Sequence, residues 1–226
     1  MAAAFTAGTL FAELRAACAD EWRAYVEHDF VRSLGAGTLP EAAFRHYLVQ
    51  DYLFLIHFAR AHALAVYKSD SLDDMRDQAA AVSQILNVEM GLHIKYCAGW
   101  GLTEADMKAV PEARQTMAYT RYVLERGMAG DLLDLSVALA PCVLGYGEIG
   151  HRLMGAGAAR QDNPYRTWIE AYGGADYRRI VAMAGAQLDR LHARRGGAAR
   201  RANLVETFRA ATRLEADFWQ MGLDVA

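Results

Sequence analysis

Apolar residues recur at intervals of three and four along almost the whole chain, and this spacing strongly constrains the fold. The first such segment runs from Thr9 to about Leu34, where Gly35 interrupts the pattern. Intervals of three and four place side chains on one face of an α-helix, whereas a half-buried strand needs strict alternation. No convincing alternating segment, internal repeat or low-complexity tract is found. The sequence therefore predicts an all-α bundle of about eight helices.

Glycines, prolines and capping residues separate the predicted helices. Seven long segments and two short ones follow from these signals. The long segments run from Thr9 to about Leu34, Glu41 to about Lys68, Ser71 to about Ala98, Glu112 to Gly127, Asp131 to Gly155, Ala175 to about Arg194 and Ala199 to about Met221. The short ones begin at Thr103 and near Asn163.

Composition favours one folded domain over residues 1–226. The chain has 226 residues and no obvious linker, and 54% of its residues are hydrophobic against 23% charged. This is enough apolar material for a sizeable core and is unlike a disordered chain. A net charge of −3 argues against a protein built to coat nucleic acid, so we expect no direct nucleic-acid partner.

Cysteine usage and the lack of targeting signals indicate the compartment. Cys18, Cys97 and Cys142 are odd in number and widely spaced, which fits neither a disulfide framework nor a CxxC metal site. The apolar N-terminus lacks a positively charged start, so we expect no signal peptide. No apolar run approaches the ~18–20 residues that span a bilayer. We expect a cytoplasmic protein with no membrane partner.

The segment from Ala138 to Gly150 combines a helical pattern with one proline and three glycines. Pro141 removes a backbone hydrogen bond and clashes with the preceding turn, so the sequence predicts a kink. Each glycine costs about 1 kcal/mol relative to alanine inside a helix, which suggests that the helix must leave room beside it. Cys142 and Tyr146, four residues apart, share one helix face. By itself this pattern favours a small, inert, buried cysteine.

Two carboxylates lie among aromatic residues. Asp51 shares a predicted helix face with three of them, Tyr47, Phe54 and Phe58. A carboxylate there is costly to bury alone, so Asp51 either contacts a ligand or has a backbone or arginine partner. Glu215 lies three and four residues before two more, Phe218 and Trp219. Such a glutamate is more often a surface charge. Further aromatic residues would ordinarily be core: Tyr119, Tyr122, Tyr165, Trp168 and Tyr172.

A metal site is a weaker alternative. Glu89 and His93 lie four apart, and two further histidines, His57 and His62, lie on a neighbouring predicted helix. Di-iron bundles use Glu and His on facing helices, but they need more carboxylates in Glu-x-x-His spacing than this chain has. A buried Glu–His hydrogen bond is the favoured interpretation, and no metal site is predicted.

Taken together, several motifs resemble the TenA family, the thiaminase II group of the haem-oxygenase-like fold. The resemblance covers nearly the whole chain, with its motifs in the family's order. The motifs are Tyr47-Leu48-Val49-Gln50-Asp51, Glu89 with His93 before Gly99-Trp100-Gly101, Tyr119-Thr120, Leu139-Ala140-Pro141-Cys142 with Tyr146 and Glu148-Ile149-Gly150, Trp168-Ile169 with Tyr172-Gly173-Gly174, and Glu215 before Phe218-Trp219. Gly145 and Gly147 stand where many relatives carry bulkier residues. The resemblance therefore does not fix the shape of the substrate pocket.

The resemblance implies a hydrolase that releases hydroxymethylpyrimidine from thiamin or from its aminomethyl-aminopyrimidine degradation product, for thiamin salvage. Cys142 matches the family nucleophile, Glu215 the acidic residue beside the pyrimidine ring, and Asp51 the carboxylate that holds the ring amino group. Tyr146 matches a catalytic-site tyrosine. The remaining substrate-binding matches are Tyr172, Tyr119, Phe54 and Tyr47.

The resemblance also implies a homotetramer that needs no metal or organic cofactor. Two alternatives stay open beside the hydrolase. The family name derives from an effect on secreted-enzyme expression, which would suit a regulatory protein without an enzymatic role. A metal-dependent oxidase on the same fold would use Glu89, His93 and another histidine.

Overall fold

The computed structural model of the protein describes residues 3–225, and most of these residues are helical. This part of the chain contains twelve α-helices and no β-strand. In chain order they are α1 (Leu10–Ala17), α2 (Ala19–Val26), α3 (Asp29–Ala36), α4 (Glu41–Lys68), α5 (Leu72–Gln84), α6 (Met90–Ala98), α7 (Glu104–Ala109), α8 (Arg114–Ala129), α9 (Leu132–Gly155), α10 (Arg166–Gly173), α11 (Ala175–Arg195) and α12 (Arg201–Leu223). The all-α prediction is confirmed, although the helices outnumber the predicted eight.

The first predicted helix is three short helices. The backbone leaves helical geometry at Cys18 (φ −124°, ψ 36°) and becomes extended at His28 (φ −58°, ψ 151°), where α3 begins. His28 Nδ1 accepts a hydrogen bond from the Phe30 backbone N–H (3.2 Å) and so caps α3. Histidine is not among the usual capping residues, and apolar side chains keep their spacing across both breaks. For these reasons the sequence pattern does not reveal the interruptions.

A second predicted helix is also divided, here by a π-helical segment. Residues Ile85–Glu89 form one π turn between α5 and α6, within the segment predicted as a single helix. Ser71 caps α5 as predicted, because its hydroxyl accepts the Asp74 backbone N–H (3.1 Å). A π turn inserts one residue into a helix and frequently lies at a functional site. It shifts the face on which every later side chain of α6 lies.

The chain divides into two compact units, and each is described separately. Unit 2 comprises residues 40–135 and 220–225. Its central element is α4, which packs against α5, α6 and α8. Every residue from Tyr47 to Leu55 is buried, so more than two turns of α4 are enclosed on all sides. The apolar residues that surround α4 on nearly all sides account for this burial.

Unit 1 comprises residues 3–39 and 136–219 and has an aromatic core. Trp22 stacks on Phe208 (ring centroids 5.5 Å apart, 18° between planes), and Phe30 stacks on Trp219 (4.9 Å, 17°). Each such pair contributes roughly 0.5–1.5 kcal/mol beyond the area that it buries. The rings of this core come from segments far apart in sequence, so they join α2 and α3 to α12.

Helix α9 continues through Pro141 without ending. By length and composition alone this helix would be able to cross a membrane, contrary to the expectation that no apolar run is long enough. However, 78% of its most apolar window is buried inside the protein, as in the core helix of a globular fold. The carbonyl of Pro141 accepts a hydrogen bond from the Tyr25 hydroxyl (3.3 Å). This bond ties α9 to α2 next to Cys142.

Candidate functional site

Asp51 lies in the middle of α4, in unit 2, and is only 4% exposed. Its carboxylate accepts hydrogen bonds from the Tyr47 hydroxyl (3.2 Å) and from His93 Nε2 (2.7 Å). Tyr47 precedes Asp51 by four residues, and the predicted common face of this pair is confirmed. The predicted backbone or arginine partner is wrong, because a tyrosine and a histidine fill that role. These partners offset the large cost of burying a carboxylate.

His93, on α6, is held at both ring nitrogens. Its Nδ1 lies 2.9 Å from the backbone carbonyl oxygen of Glu89, and its Nε2 lies 2.7 Å from Asp51 Oδ2. Both neighbours are acceptors, so the ring that satisfies both carries two N–H groups and is an imidazolium. Burial by itself lowers the pKa of His93, but the hydrogen bond and charge of Asp51, aided by Glu89, outweigh burial and raise it. The predicted Glu–His hydrogen bond thus exists and uses the Glu89 backbone.

Both hydrogen bonds to Asp51 end on the same oxygen atom. Tyr47 and His93 each donate to Oδ2, and within residues 3–225 no donor is hydrogen-bonded to Oδ1. The carboxylate is therefore fixed through one oxygen and retains acceptor capacity on the other. A buried acceptor of this kind suits a ligand that brings its own N–H donor.

Two predicted aromatic residues meet beside Asp51. Phe54, three residues further along α4, lies 5.0 Å from Tyr119 of α8 between ring centroids, with 33° between the planes. Phe54 also stacks on Phe58 (5.4 Å, 28°). Both predicted residues are buried. The structure thus brings Phe54 and Tyr119 into contact within unit 2, and their contact with a substrate stays a prediction.

Cys142 differs from the other two cysteines in its exposure. Cys18 and Cys97 are completely buried, whereas Cys142, on α9 in unit 1, is only partly buried. Burial raises the pKa of the Cys97 thiol to about 11 and also raises that of Cys18. Thiols of this kind are inert because the reactive form is the thiolate. The partial exposure of Cys142 does not fit the inert, fully buried cysteine that the local sequence favoured.

Tyr146 lies one helical turn beyond Cys142 and belongs to an aromatic cluster of unit 1. Its ring centroid is 4.9 Å from that of Tyr172, 5.8 Å from Trp168 and 5.3 Å from Trp219. Tyr172 and Trp168 are carried by α10, and Trp219 by α12. The predicted pair Tyr146 and Tyr172 is therefore in direct contact. Rings packed on three sides hold Tyr146 in one orientation.

Glu215 is buried in α12, only 2% exposed. The interpretation of this residue as a surface charge is wrong. Its helix position is one turn before Trp219, whose ring packs against Tyr146 of α9. The turn of α12 that carries Glu215 is thus anchored to the helix that carries Cys142. Sequence spacing did not reveal this burial, because the residues that enclose α12 come from distant parts of the chain.

The glycines of α9 have a different role from the predicted one. A Cβ on Gly145 would overlap the ring of Tyr25 and lie 2.7 Å from its hydroxyl oxygen. A Cβ on Gly147 would overlap Val181 of α11, and one on Gly150 would lie 2.6 Å from the backbone nitrogen of Gly173. The room beside the helix is therefore occupied by neighbouring parts of unit 1. These glycines permit close packing on the faces that they occupy, and a pyrimidine pocket beside Cys142 stays a prediction.

The histidines proposed as alternative metal ligands have three separate partners. His57 Nε2 lies 2.8 Å from the Glu112 carboxylate, and His62 Nδ1 lies 2.6 Å from the Gln78 side-chain oxygen. His93 pairs with Asp51. Among the described residues no three His, Cys, Asp or Glu side chains form a group that could hold a metal ion. The donor set for the oxidase alternative is therefore not assembled in this part of the chain.

Comparison with known proteins gives consistent matches. The profile of the TENA/THI-4/PQQC family matches residues 15–225. A structure described as a TenA family transcription regulator from a Silicibacter species is 49% identical, has a TM-score of 0.90, and covers 94% of this chain and 96% of its own. An uncharacterized protein of Haemophilus influenzae is 40% identical over 91% of this chain and 94% of its own length. An aminopyrimidine aminohydrolase of Halalkalibacterium halodurans is 35% identical over 88% of this chain and 89% of its own length.

Proposed function

Because the chain belongs to the TENA/THI-4/PQQC family, we propose that it is an aminopyrimidine hydrolase of thiamin salvage. Its substrate is thiamin or the aminomethyl-aminopyrimidine formed when thiamin degrades, and its product is hydroxymethylpyrimidine. The Halalkalibacterium relative supports this activity by its name and by similarity along most of the chain. The structural observation that carries the proposal is the partly accessible Cys142, at the position where the resemblance expects a nucleophile.

Cys142 is the proposed nucleophile. Its sulfur adds to a ring carbon of the pyrimidine, and the nitrogen leaving group on the exocyclic methylene departs with its bonding electron pair. The amine of the aminomethyl compound takes up a proton as it leaves, whereas thiamin releases its thiazole as a neutral base. Water then adds to the methylene, and the thiolate is expelled as the ring regains its aromatic state. The net change replaces the leaving group by a hydroxyl group and consumes one water. A thiol suits this step because it is strongly nucleophilic even when only a few per cent is ionised.

Two buried carboxylates assist the proposed reaction. Protonation of a ring nitrogen makes addition of the thiolate easier, and we assign that role to Glu215. Asp51 accepts a hydrogen bond from the ring amino group, for which its Oδ1 atom has free acceptor capacity. Both carboxylates are more than 95% buried, so a charge on either acts in a medium that screens it weakly.

The aromatic residues serve the flat ring of the substrate. Phe54 and Tyr119 are the proposed walls, and Tyr47 contributes by holding Asp51. Tyr146 and Tyr172 are proposed to contact the substrate near Cys142. Offset stacking on such rings contributes about 0.5–1.5 kcal/mol per pair. No step requires a metal or an organic cofactor.

A turnover assay with the two substrates tests the proposal. Purified protein is incubated with thiamin or the aminomethyl-aminopyrimidine, and hydroxymethylpyrimidine is quantified by chromatography. We expect turnover that is abolished by Cys142→Ser. Cys97→Ser makes the same chemical change at a fully buried thiol and is the matched control, which should retain turnover if it folds. Wild-type rates in Cys142→Ser would exclude the nucleophile assignment.

A regulatory role is the second candidate, favoured by the description of the Silicibacter structure as a transcription regulator. The net charge of −3 gives no electrostatic support for direct DNA binding. Salt-dependent binding of the pure protein to duplex DNA, without hydrolysis of either pyrimidine, would establish this role instead.

Three further assignments rest on the lack of a linker, the family resemblance and the cysteine usage, respectively. We propose that residues 1–226 act as one domain, that the protein is a homotetramer, and that it works in the cytoplasm. Sedimentation equilibrium of the pure protein tests the oligomeric state, and a mass of one or two chains would exclude the tetramer.

A further inference from the structure

The contact between Asp51 and His93 is a buried polar interaction that the proposed reaction leaves unexplained. The 2.7 Å ion pair joins α4 to α6 and is almost completely enclosed, since both residues are 4% exposed. Among the residues that the structure describes, the only predicted site residue to which His93 is hydrogen-bonded is Asp51. Its second nitrogen is fixed by the Glu89 carbonyl, which belongs to the π turn.

We propose that His93 is a positioning residue that sets the affinity and selectivity of Asp51 for the amino group of the pyrimidine. This inference rests on the proposed function and deepens it. The imidazolium anchors Oδ2, which fixes the plane of the carboxylate and leaves Oδ1 to accept the ligand N–H. The substrate class that this arrangement selects is an aminopyrimidine with a donor at that ring position.

Two features of the hydrogen-bond geometry support a positioning role. The ring of His93 is bonded at both nitrogens and therefore cannot rotate without losing one bond. Tyr47 alone offers a longer bond of 3.2 Å from a neutral hydroxyl, whereas His93 offers a charged donor at 2.7 Å. Charge-assisted hydrogen bonds are shorter and about twice as strong as neutral ones. His93 therefore dominates the orientation of Asp51.

The π turn supplies the remaining support. Residues Ile85–Glu89 interrupt regular helix geometry immediately before α6, and the last of them provides the carbonyl that accepts from His93. One inserted residue rotates the following helix by about 100°, which brings a different face of α6 towards its neighbours. Without this turn His93 would occupy another face. The irregularity and the ion pair are thus parts of one arrangement.

Selectivity follows from the burial of the Asp51 acceptor. A site built to accept an N–H group rejects an analogue that lacks this group, because the acceptor is then left buried and unpaired. A carboxylate that is free to turn would find other partners and would discriminate less. The selectivity for the amino group should therefore depend on His93 even though His93 does not touch the ligand.

The test uses the binding of hydroxymethylpyrimidine, measured by titration calorimetry, to wild type, His93→Leu, His93→Gln, Asp51→Asn and the double variant Asp51→Asn/His93→Leu. We expect His93→Leu to weaken binding about 10- to 100-fold, as for the loss of a hydrogen bond to a charged group. His93→Gln should restore part of the affinity, because its amide N–H can donate to Asp51. In the Asp51→Asn background, His93→Leu should cause little further loss of affinity, because the effects of substitutions at two coupled residues do not add.

Selectivity provides a readout that a purely structural role would not change. The analogue that carries hydrogen in place of the ring amino group should bind wild type far more weakly than hydroxymethylpyrimidine. This ratio should fall at least about tenfold in His93→Leu. His62→Leu is the matched control, because His62 is also buried in unit 2 and hydrogen-bonded, but its partner is Gln78. It should keep the wild-type ratio.

The outcomes separate the two proposals. Wild type that neither binds nor hydrolyses the pyrimidine overturns the proposed function, and the inference falls with it. An active wild type together with a His93→Leu variant of unchanged affinity and selectivity overturns the inference alone. Independent, multiplying effects of the Asp51 and His93 substitutions would also overturn it. Should His93→Leu fail to fold, the affinity and selectivity of His93→Gln are compared with those of wild type instead.

Discussion

The surroundings of Asp51 in unit 2 and of Cys142 in unit 1 are stabilised by different forces. Asp51 is held by hydrogen bonds and charge, from Tyr47 and His93. Helix α9 around Cys142 is held by close packing of glycine against neighbouring backbone and rings. The first kind of environment fixes an acceptor, and the second fixes a helix while leaving its thiol partly exposed. Substitutions around Asp51 should therefore remove hydrogen bonds and charge interactions, whereas substitutions of the α9 glycines should create steric overlap.

The largest effect on stability is expected from Gly150→Val in α9. An added Cβ lies 2.6 Å from the backbone nitrogen of Gly173, and a backbone cannot move aside as a side chain can. We expect the free energy of unfolding to fall by about 3 kcal/mol or more. Denaturant titration followed by circular dichroism measures this change.

Gly155→Val is the matched control for that substitution. Gly155 is the last residue of α9, its φ is not positive, and nothing lies within 4 Å of a Cβ placed there. Its replacement should change the free energy of unfolding by less than about 1 kcal/mol. Equal losses at both glycines would contradict the close-packing explanation.

Local features of the chain were more predictable than these contacts. Gly37 ends α3 at a positive φ of 76°, and Ser71 caps α5, because such signals act within a few residues. The all-α class and the family were likewise predicted and are confirmed. Breaks at Cys18 and His28 were missed because neither residue is a strong signal for a helix end.

The sequence predicted which residue types belong to the candidate site, but it did not predict which side chains contact each other. The spacing of Tyr47 and Asp51 gave their common face, but His93 pairs with Asp51 across 42 positions of sequence. The glycines of α9 suggested empty space, whereas Tyr25, some 120 residues earlier in the chain, occupies part of it. Periodicity identifies which face of a helix is buried and says nothing about which segment covers it.

An intermediate effect is expected from pH, and it concerns the Asp51 region alone. The pKa of His93 is raised in the folded protein above its unfolded value of about 6.5, so folding favours the protonated ring. Its contribution to stability is complete below about pH 6.5 and is lost as pH rises through the raised pKa. The charged groups that act on His93 are Asp51 and Glu89, and Tyr47 donates to the same Asp51 oxygen as His93.

The difference between wild type and His93→Gln isolates this contribution. Glutamine does not titrate, so the stability advantage of wild type over the variant should shrink steadily from neutral to alkaline pH. Thermal unfolding of both proteins across this range measures the advantage. An advantage that is constant or grows with pH would contradict the ion pair.

The smallest effect is expected from Gly91→Ala in α6. No atom lies within 4 Å of a Cβ placed on Gly91, in contrast to the crowded glycines of α9. Alanine loses less conformational entropy than glycine on folding into a helix, so we expect a gain of about 0.5–1 kcal/mol in the free energy of unfolding. Denaturant titration would show a higher midpoint, and a clear loss would mean that Gly91 has a packing role.

The central claim is that Asp51 binds the pyrimidine and Cys142 reacts with it. Comparing Cys142→Ser with Asp51→Asn tests this claim most directly. For each variant the turnover number and the dissociation constant of hydroxymethylpyrimidine are measured together. We expect Cys142→Ser to lose turnover by at least about a thousandfold and to bind the product nearly as wild type does. Asp51→Asn should weaken product binding about 10- to 100-fold. Turnover retained in Cys142→Ser, or wild-type affinity in Asp51→Asn, would contradict this claim.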